Sequence, residues 1–376
     1  MEIGKVVIKI GSRLLANEDL GLNLRLINEV CAQVAQLKRA GKQVIIVSSG
    51  AVASGRSVET LRGDFPVSSG SQNPHLLREQ ILAAVGQPKL MRAYNHEFEK
   101  YGITMAQLLV TRADFADRSR YLSLRTVVDN MLLLGIVPIF NENDSLSIEE
   151  LDFSDNDQLS CMVAAMIEAH LLIIMTDVPG VLNDHKKVIA HVSDVDDVRH
   201  YVGIQDSASS VVTKGGMQSK LDAADLITSL GIDMRIISGH ELNGIVRVAA
   251  DGEHIGTYFP ANGKKLSKRK AWIGAGAVER GQIVVSTFLA DLLRKRHVAS
   301  ILLRGVEKVD KRQTFKQGDV IRVCDIDGTV LGKGEARMSA DDLRQAVKES
   351  HARDAGAERT SGGEKIVIHY DYFVFI

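Results

Sequence analysis

At 376 residues, 45% hydrophobic and 25% charged, the chain has the composition of a soluble globular protein and a length that predicts two domains. A formal net charge of −1 gives the chain as a whole no sign of a polyanionic partner. Cys31, Cys161 and Cys324 are scattered, with no C-x-x-C pair, which excludes a zinc ribbon or a disulfide framework. Their apolar neighbours predict buried thiols in a reducing cytoplasm. No apolar run is long enough for a membrane span, and no basic-then-apolar leader precedes the first strand, so a cytoplasmic protein with no membrane contact is expected.

Residues 6–10 are nearly continuously apolar and predict a buried strand, which runs into Lys9-Ile10-Gly11-Ser12. Leu26, Ile27, Val30, Val34 and Leu37 recur at helical spacing, so a helix is predicted over 25–40, stopping at Gly41. Residues 44–47 read as a second buried strand, followed by Ser48-Ser49-Gly50-Ala51. The Gly, Ser, Asn and Pro content of 63–74 predicts a loop. Further strands are predicted at 104–110, 136–140, 171–175 and 234–237, and helices at 76–85, 88–100, 121–134, 157–169 and 217–230. Leu171-Leu172-Ile173-Ile174-Met175 is apolar on both faces, as a parallel strand between helical layers must be. The expectation for residues 1–260 is an open, doubly wound, mainly parallel α/β sheet with ligands at the carboxyl ends of the strands.

Residues 261–275 read as a basic linker, and the pattern after it changes to short strands and turns at 282–285, 300–303, 318–324 and 329–334. Helical patterns there cover 288–296 and 340–349, so a small mainly β domain is expected over 276–355, followed by a C-terminal tail, 356–376.

Several segments carry chemistry. Lys9 precedes a glycine turn that lets backbone N–H groups face a ligand. Ser49 follows a strand among small residues that permit close approach of a substrate. From Asn141 to Ser160 there are seven acidic residues and no Lys or Arg, a concentration suited to a cation or a substrate ammonium. Thr176-Asp177 ends a predicted strand. Lys214-Gly215-Gly216-Met217-Gln218-Ser219-Lys220 is a glycine turn opening onto a helix, with Lys220 in the first turn. A lysine there opposes the helix dipole unless an anion is bound. Taken singly, each segment also reads as ordinary structure: a lysine in a turn, serine caps, acidic caps. Together they point to phosphoryl transfer. There is no G-x-x-x-x-G-K-[ST] loop, no serine nucleophile elbow and no histidine pair at metal spacing. Gly274-Ala275-Gly276 lacks the third glycine of a dinucleotide fingerprint, Glu279 standing there.

These segments resemble the amino acid kinase family over nearly the whole chain. The resemblance rests on V-V-I-K-I-G-S (6–12), V-S-S-G-A-V-A-S-G (47–55), Q-I-L-A-A-V-G-Q (80–87), L-L-V-T-R-A-D (108–114), V-P-I-F-N-E-N-D (137–144), S-D-N-D (154–157), T-D-V-P-G-V (176–181) and G-G-M-Q-S-K (215–220). N-E-N-D with D-N-D downstream resembles the branch that phosphorylates the side-chain carboxylate of free L-glutamate in proline biosynthesis. The C-terminal part resembles a PUA domain.

The resemblance implies that Lys9 and Lys220 bind the transferring phosphoryl group and that Asp157 orients them. It implies that Ser49, Asp144 and Asn156 hold glutamate. ATP would contact Lys9, Thr176, Asp177 and the loop Lys214, Gly215, Gly216, Met217, Gln218, Ser219 and Lys220. It further implies Mg2+, with ligands left unassigned, feedback inhibition by L-proline, and a homo-oligomer, dimer or tetramer. Lys214 stands where threonine is usual and Ser154 where glycine is usual, both at positions that bear on nucleotide affinity. The alternatives are a related kinase acting on acetylglutamate or aspartate, and RNA binding through the C-terminal part. Residues 261–322 hold 15 Lys and Arg against 5 Asp and Glu, a net of +10, although Trp272, Phe288 and Phe315 are too spread out to form an aromatic platform.

Overall fold

The computed structural model describes residues 3–16, 21–61, 66, 73–146, 156–206, 216–262, 267–295, 300–354 and 365–375. The chain divides into two compact units, Met1–Lys265 and Leu266–Ile376.

The first unit alternates strand and helix. Its elements are β1 (Lys5–Ile10), α1 (Ser12–Leu15), α2 (Leu24–Arg39), β2 (Gln43–Ser48), α3 (Ala51–Arg56), α4 (Pro74–Glu99), β3 (Met105–Val110), α5 (Arg112–Ala116) and α6 (Arg118–Leu133). There follow β4 (Val137–Glu142), α7 (Asn156–Ile167), β5 (Leu171–Thr176), α8 (Asp196–Asp206), α9 (Met217–Ser229), β6 (Asp233–Ser238), α10 (Gly244–Ala249) and β7 (Thr257–Phe259). The sheet order is β3-β4-β2-β1-β5-β6-β7. Its pairs are parallel except β6–β7. This is the open, mainly parallel α/β sheet that the sequence predicts.

Period-two alternation in β1 decides which face each side chain serves. Val6, Ile8 and Ile10 join Val44, Ile46, Leu171 and Ile173 in a core completed by Leu26, Val30 and Leu37 of α2 and Leu90, Tyr94 and Phe98 of α4. Lys9 has the opposite parity. It lies in register with Val47 of β2 and Ile174 of β5, and α7 packs against its strand.

The helices predicted at 76–85 and 88–100 are one helix, α4, with Pro88 inside it. A proline there removes an N–H and costs about 3 kcal/mol. Burial of Leu82, Leu90, Met91, Tyr94 and Phe98 outweighs that cost. The short α10 and β7 and the charged α8 carry too little periodicity to be predicted. The loop expected at 63–74 lies, apart from Pro66, Asn73 and Pro74, outside the described residues.

The second unit opens with α11 (Lys268–Ala271), which continues as a π-helical turn, Trp272–Gly276. It then contains β8 (Glu279–Val285), α12 (Thr287–Arg294), β9 (Ile301–Leu302), β10 (Val306–Lys308), β11 (Val320–Cys324), β12 (Val330–Ala336), α13 (Ala340–Asp354) and β13 (Ile366–Phe375). The six strands are ordered β10-β8-β11-β12-β13-β9. Two segments differ from the sequence reading. The expected linker 261–275 becomes helical from Lys268 and buries Trp272 and Ile273. The expected tail 356–376 holds β13, which pairs with β12 and β9 and buries Val367, Ile368, Phe373 and Val374. All three cysteines are buried thiols in no disulfide.

Candidate active site

At the carboxyl end of β1, three charged groups from three elements converge. Lys9 comes from β1, Asp157 from the first turn of α7 and Lys220 from the first turn of α9. Lys9 Nζ is 2.5 Å from Asp157 Oδ1, and Lys220 Nζ is 3.1 Å from Asp157 Oδ2. Asp157 is 0% exposed, Lys9 4% and Lys220 5%. Two ammonium groups share one carboxylate in a place shielded from water. Burial alone pushes the Asp157 carboxyl up, but the charges of Lys9 and Lys220 and their hydrogen bonds reverse this and hold it below the ordinary carboxylate range.

The start of α9 adds to the field. Gly216, in extended conformation, is its N-cap and, as a glycine, brings no side chain to the first helix N–H groups. Lys220 Nζ also reaches Gly216 O at 3.4 Å. Met217 is buried, Ser219 half-buried, and Gln218 points outward to Asp222 at 2.9 Å. Lys214 and Gly215, like Ser154 and Asp155, lie outside the described residues.

Beside this cluster is a polar one. Ser49 follows β2, and Gly50 turns the chain into α3 with φ 99°, the left-handed region that glycine enters without strain. Asn156 Nδ2 donates to Ser49 Oγ at 2.8 Å, which brings two of the three expected glutamate residues into contact. Asp144 sits half-buried in a 3-10 turn, Asp144–Leu146, that packs on α4. Asn156 precedes Asp157 directly, so the polar and the charged clusters share the first turn of α7.

Thr176 and Asp177 lie at the carboxyl end of β5. Thr176 Oγ1 donates to Asp177 Oδ1 at 3.0 Å, and Arg13 Nη1 is 3.1 Å from Asp177 Oδ2. Burial raises the Asp177 carboxyl, but the Thr176 hydroxyl and Arg13 more than offset it and leave it lowered. Gly11 N–H donates to Met175 O at 3.1 Å, which ties the glycine turn after β1 to β5.

Sequence reasoning passed over Arg13, Asn141 and Gln87. Arg13 follows Gly11-Ser12 directly, and its position in that turn was the available signal. Gln87 ends one motif-bearing segment and Asn141 lies inside another, but neither shows a periodic or charge signal of its own. In the second unit, Trp272 and Phe315 are buried, whereas Tyr370 is 43% exposed. Lys270 Nζ lies 3.7 Å from the Tyr370 ring centre, and the Arg269 guanidinium carbon 4.4 Å from that of Tyr372. Aromatic residues therefore do meet cations here, through β13 rather than through the three residues considered from sequence.

Residues 4–238 match the model of the amino acid kinase family, and residues 281–354 that of the PUA domain. A glutamate 5-kinase from Chlorobaculum tepidum is 34% identical over 376 residues, covering 99% of this chain and 97% of its own length. One from Marinomonas sp. is 36% identical over 379 residues, covering 99% and 97%. One from Citrifermentans bemidjiense is 36% identical over 381 residues, covering 100% and 98%.

Proposed function

The chain belongs to the amino acid kinase family, and from that premise we propose that it transfers the γ-phosphoryl group of ATP to the side-chain carboxylate of L-glutamate, giving L-glutamyl 5-phosphate and ADP. The observation that carries this reading is the Lys9–Asp157–Lys220 cluster, which shares its helix turn with the Ser49–Asn156 pair. The full-length similarity to glutamate 5-kinases supports the choice of acceptor.

The chemistry fits the residues. A glutamate side chain, with an unperturbed pKa of about 4.3, is ionised at neutral pH and needs no general base. The obstacle is repulsion between two anions. Lys9 and Lys220 neutralise the phosphoryl oxygens while a carboxylate oxygen forms its bond to phosphorus and the bond to ADP breaks. Asp157 holds both lysines in place. Ser49, Asp144 and Asn156 hold the amino acid, and Thr176, Asp177 and the 214–220 loop hold the nucleotide. Among the described residues no three metal-ligating side chains converge. A Mg2+ bound with the nucleotide would neutralise charge on its phosphates.

From the family resemblance the proposal extends to a place in proline biosynthesis, with L-proline as an inhibitor, and to a homo-oligomer. ADP release measured with L-glutamate, N-acetylglutamate and L-aspartate tests the acceptor. Turnover with L-glutamate alone supports the reading, and turnover with either of the others in its place overturns it. A second reading, RNA contact by the second unit, is favoured by the basic stretch and the exposed Tyr370. It calls for an RNA affinity that falls steeply with salt.

A further inference from the structure

Gln87 closes the 80–87 segment, yet none of the phosphoryl chemistry uses it. It is 7% exposed, on α4. That helix lies close enough to α3 that a Cβ on Gly86 would stand 1.9 Å from Ala51 O, and one on Gly55 2.1 Å from Leu82 O. The glycines fix the backbone of α4, and with it the origin of the Gln87 side chain.

From Gln87 a chain of amides runs into the site with its direction set at one end. The backbone N–H of Glu142 donates to Asn141 Oδ1 at 2.9 Å, so that atom must be the oxygen. Asn141 Nδ2 is thereby turned to Gln87 and donates to its Oε1 at 2.8 Å. Asn156 Nδ2 donates to the same Asn141 Oδ1 at 3.3 Å and to Ser49 Oγ at 2.8 Å. Turning Gln87 over would set two NH2 groups against each other. Turning Asn156 over would set two oxygens together. The order leaves Asn156 Oδ1 buried with no hydrogen-bond partner among the described residues. Buried amide oxygens are rarely left so. Asn156 lies beside Ser49, and an oxygen that only accepts suits a cation rather than a carboxylate.

We propose that Gln87 is a substrate-positioning residue: by accepting from Asn141 it holds the amide chain in the direction that the Glu142 N–H sets, so that Asn156 keeps its oxygen turned to the ammonium of a free amino acid substrate. This rests on the reading that the acceptor is an amino acid. It assigns Gln87 an effect on one substrate and not the other, and one that depends on the ammonium group. A residue that merely supports the fold would lower activity without that selectivity.

The test measures KM for L-glutamate and for ATP, and inhibition by glutarate, which has both carboxylates and no ammonium. The full chain is compared with Gln87→Met and Gln87→Glu. Gln87→Met removes the acceptor and is expected to raise the glutamate KM about tenfold or more, leaving the ATP KM within about twofold and the glutarate affinity unchanged. Gln87→Glu keeps an acceptor for Asn141 and is expected to restore most of the loss. An unchanged glutamate KM in Gln87→Met overturns the proposal, as does a parallel rise for ATP or an equal loss of glutarate affinity. Should Gln87→Met fail to fold, Gln87→Glu decides alone, since a tenfold rise in its glutamate KM contradicts the proposal. If the unaltered protein shows no glutamate-dependent turnover, the functional reading has failed, and the same comparison is made with the amino acid that does drive ADP release.

Discussion

Lys9 and Lys220, from the first strand and the ninth helix, are bound to opposite oxygens of one buried carboxylate, that of Asp157. Lys220 lies in the first turn of α9, where the helix dipole also favours an anion.

The carboxylate leaves a signature in acid. Asp157 is held below its ordinary range in the folded chain, so its contribution to stability is complete above the unfolded value of about 3.9 and is lost as the pH falls through the lower folded value. Asp157→Asn should lose about 3–5 kcal/mol at neutral pH, because two buried ammonium groups then lose the carboxylate they share. The gap between the two proteins should narrow on acidification below about pH 4. Urea unfolding at several pH values measures it. A gap that widens toward acid would contradict the assignment.

Each lysine should matter to the transfer step. Lys9→Met and Lys220→Met should each lower kcat by roughly a hundredfold or more, the loss typical of one transition-state donor. Steady-state kinetics on protein with an unaltered circular dichroism spectrum checks this. A near-normal kcat in either variant would remove that lysine from the chemistry.

Substrate selectivity should follow Asn156. Asn156→Ala should raise the KM for L-glutamate at least about tenfold, the loss of a hydrogen bond to a charged group, and leave that for ATP nearly unchanged. A rise confined to ATP would move Asn156 to the nucleotide side.

Much of the first unit was legible because its strands are buried on both faces. β5 is buried at all six positions. The residue types of the charged cluster were legible too, since glycine turns beside Lys9 and Lys220 follow from local rules. What sequence does not carry is long-range pairing between neutral amides. Gln87 and Asn141 lie 54 positions apart, and where Gln87 stands is set by the close approach of α3 and α4 that Gly55 and Gly86 allow. Pro88 misled for a related reason: its local cost is real, and tertiary burial overrides it. β13 was missed because Ile366–Phe375 puts half-buried His369 and exposed Tyr370 and Asp371 between two buried pairs, Val367–Ile368 and Phe373–Val374.

The first unit holds every residue assigned to the reaction. A chain ending at Lys265 should therefore fold and keep glutamate-dependent ATP turnover, with any change confined to assembly or regulation. A folded truncation that binds both substrates and transfers nothing would bring the second unit into the reaction.

The most direct test is to catch the product. An acyl phosphate acylates hydroxylamine, so ATP, Mg2+, L-glutamate and hydroxylamine should yield the side-chain hydroxamate of glutamate, one for each ADP formed. Lys220→Met should slow both together by roughly a hundredfold. ADP formed without hydroxamate, or formed equally well without L-glutamate, would contradict transfer of the phosphoryl group to the glutamate carboxylate.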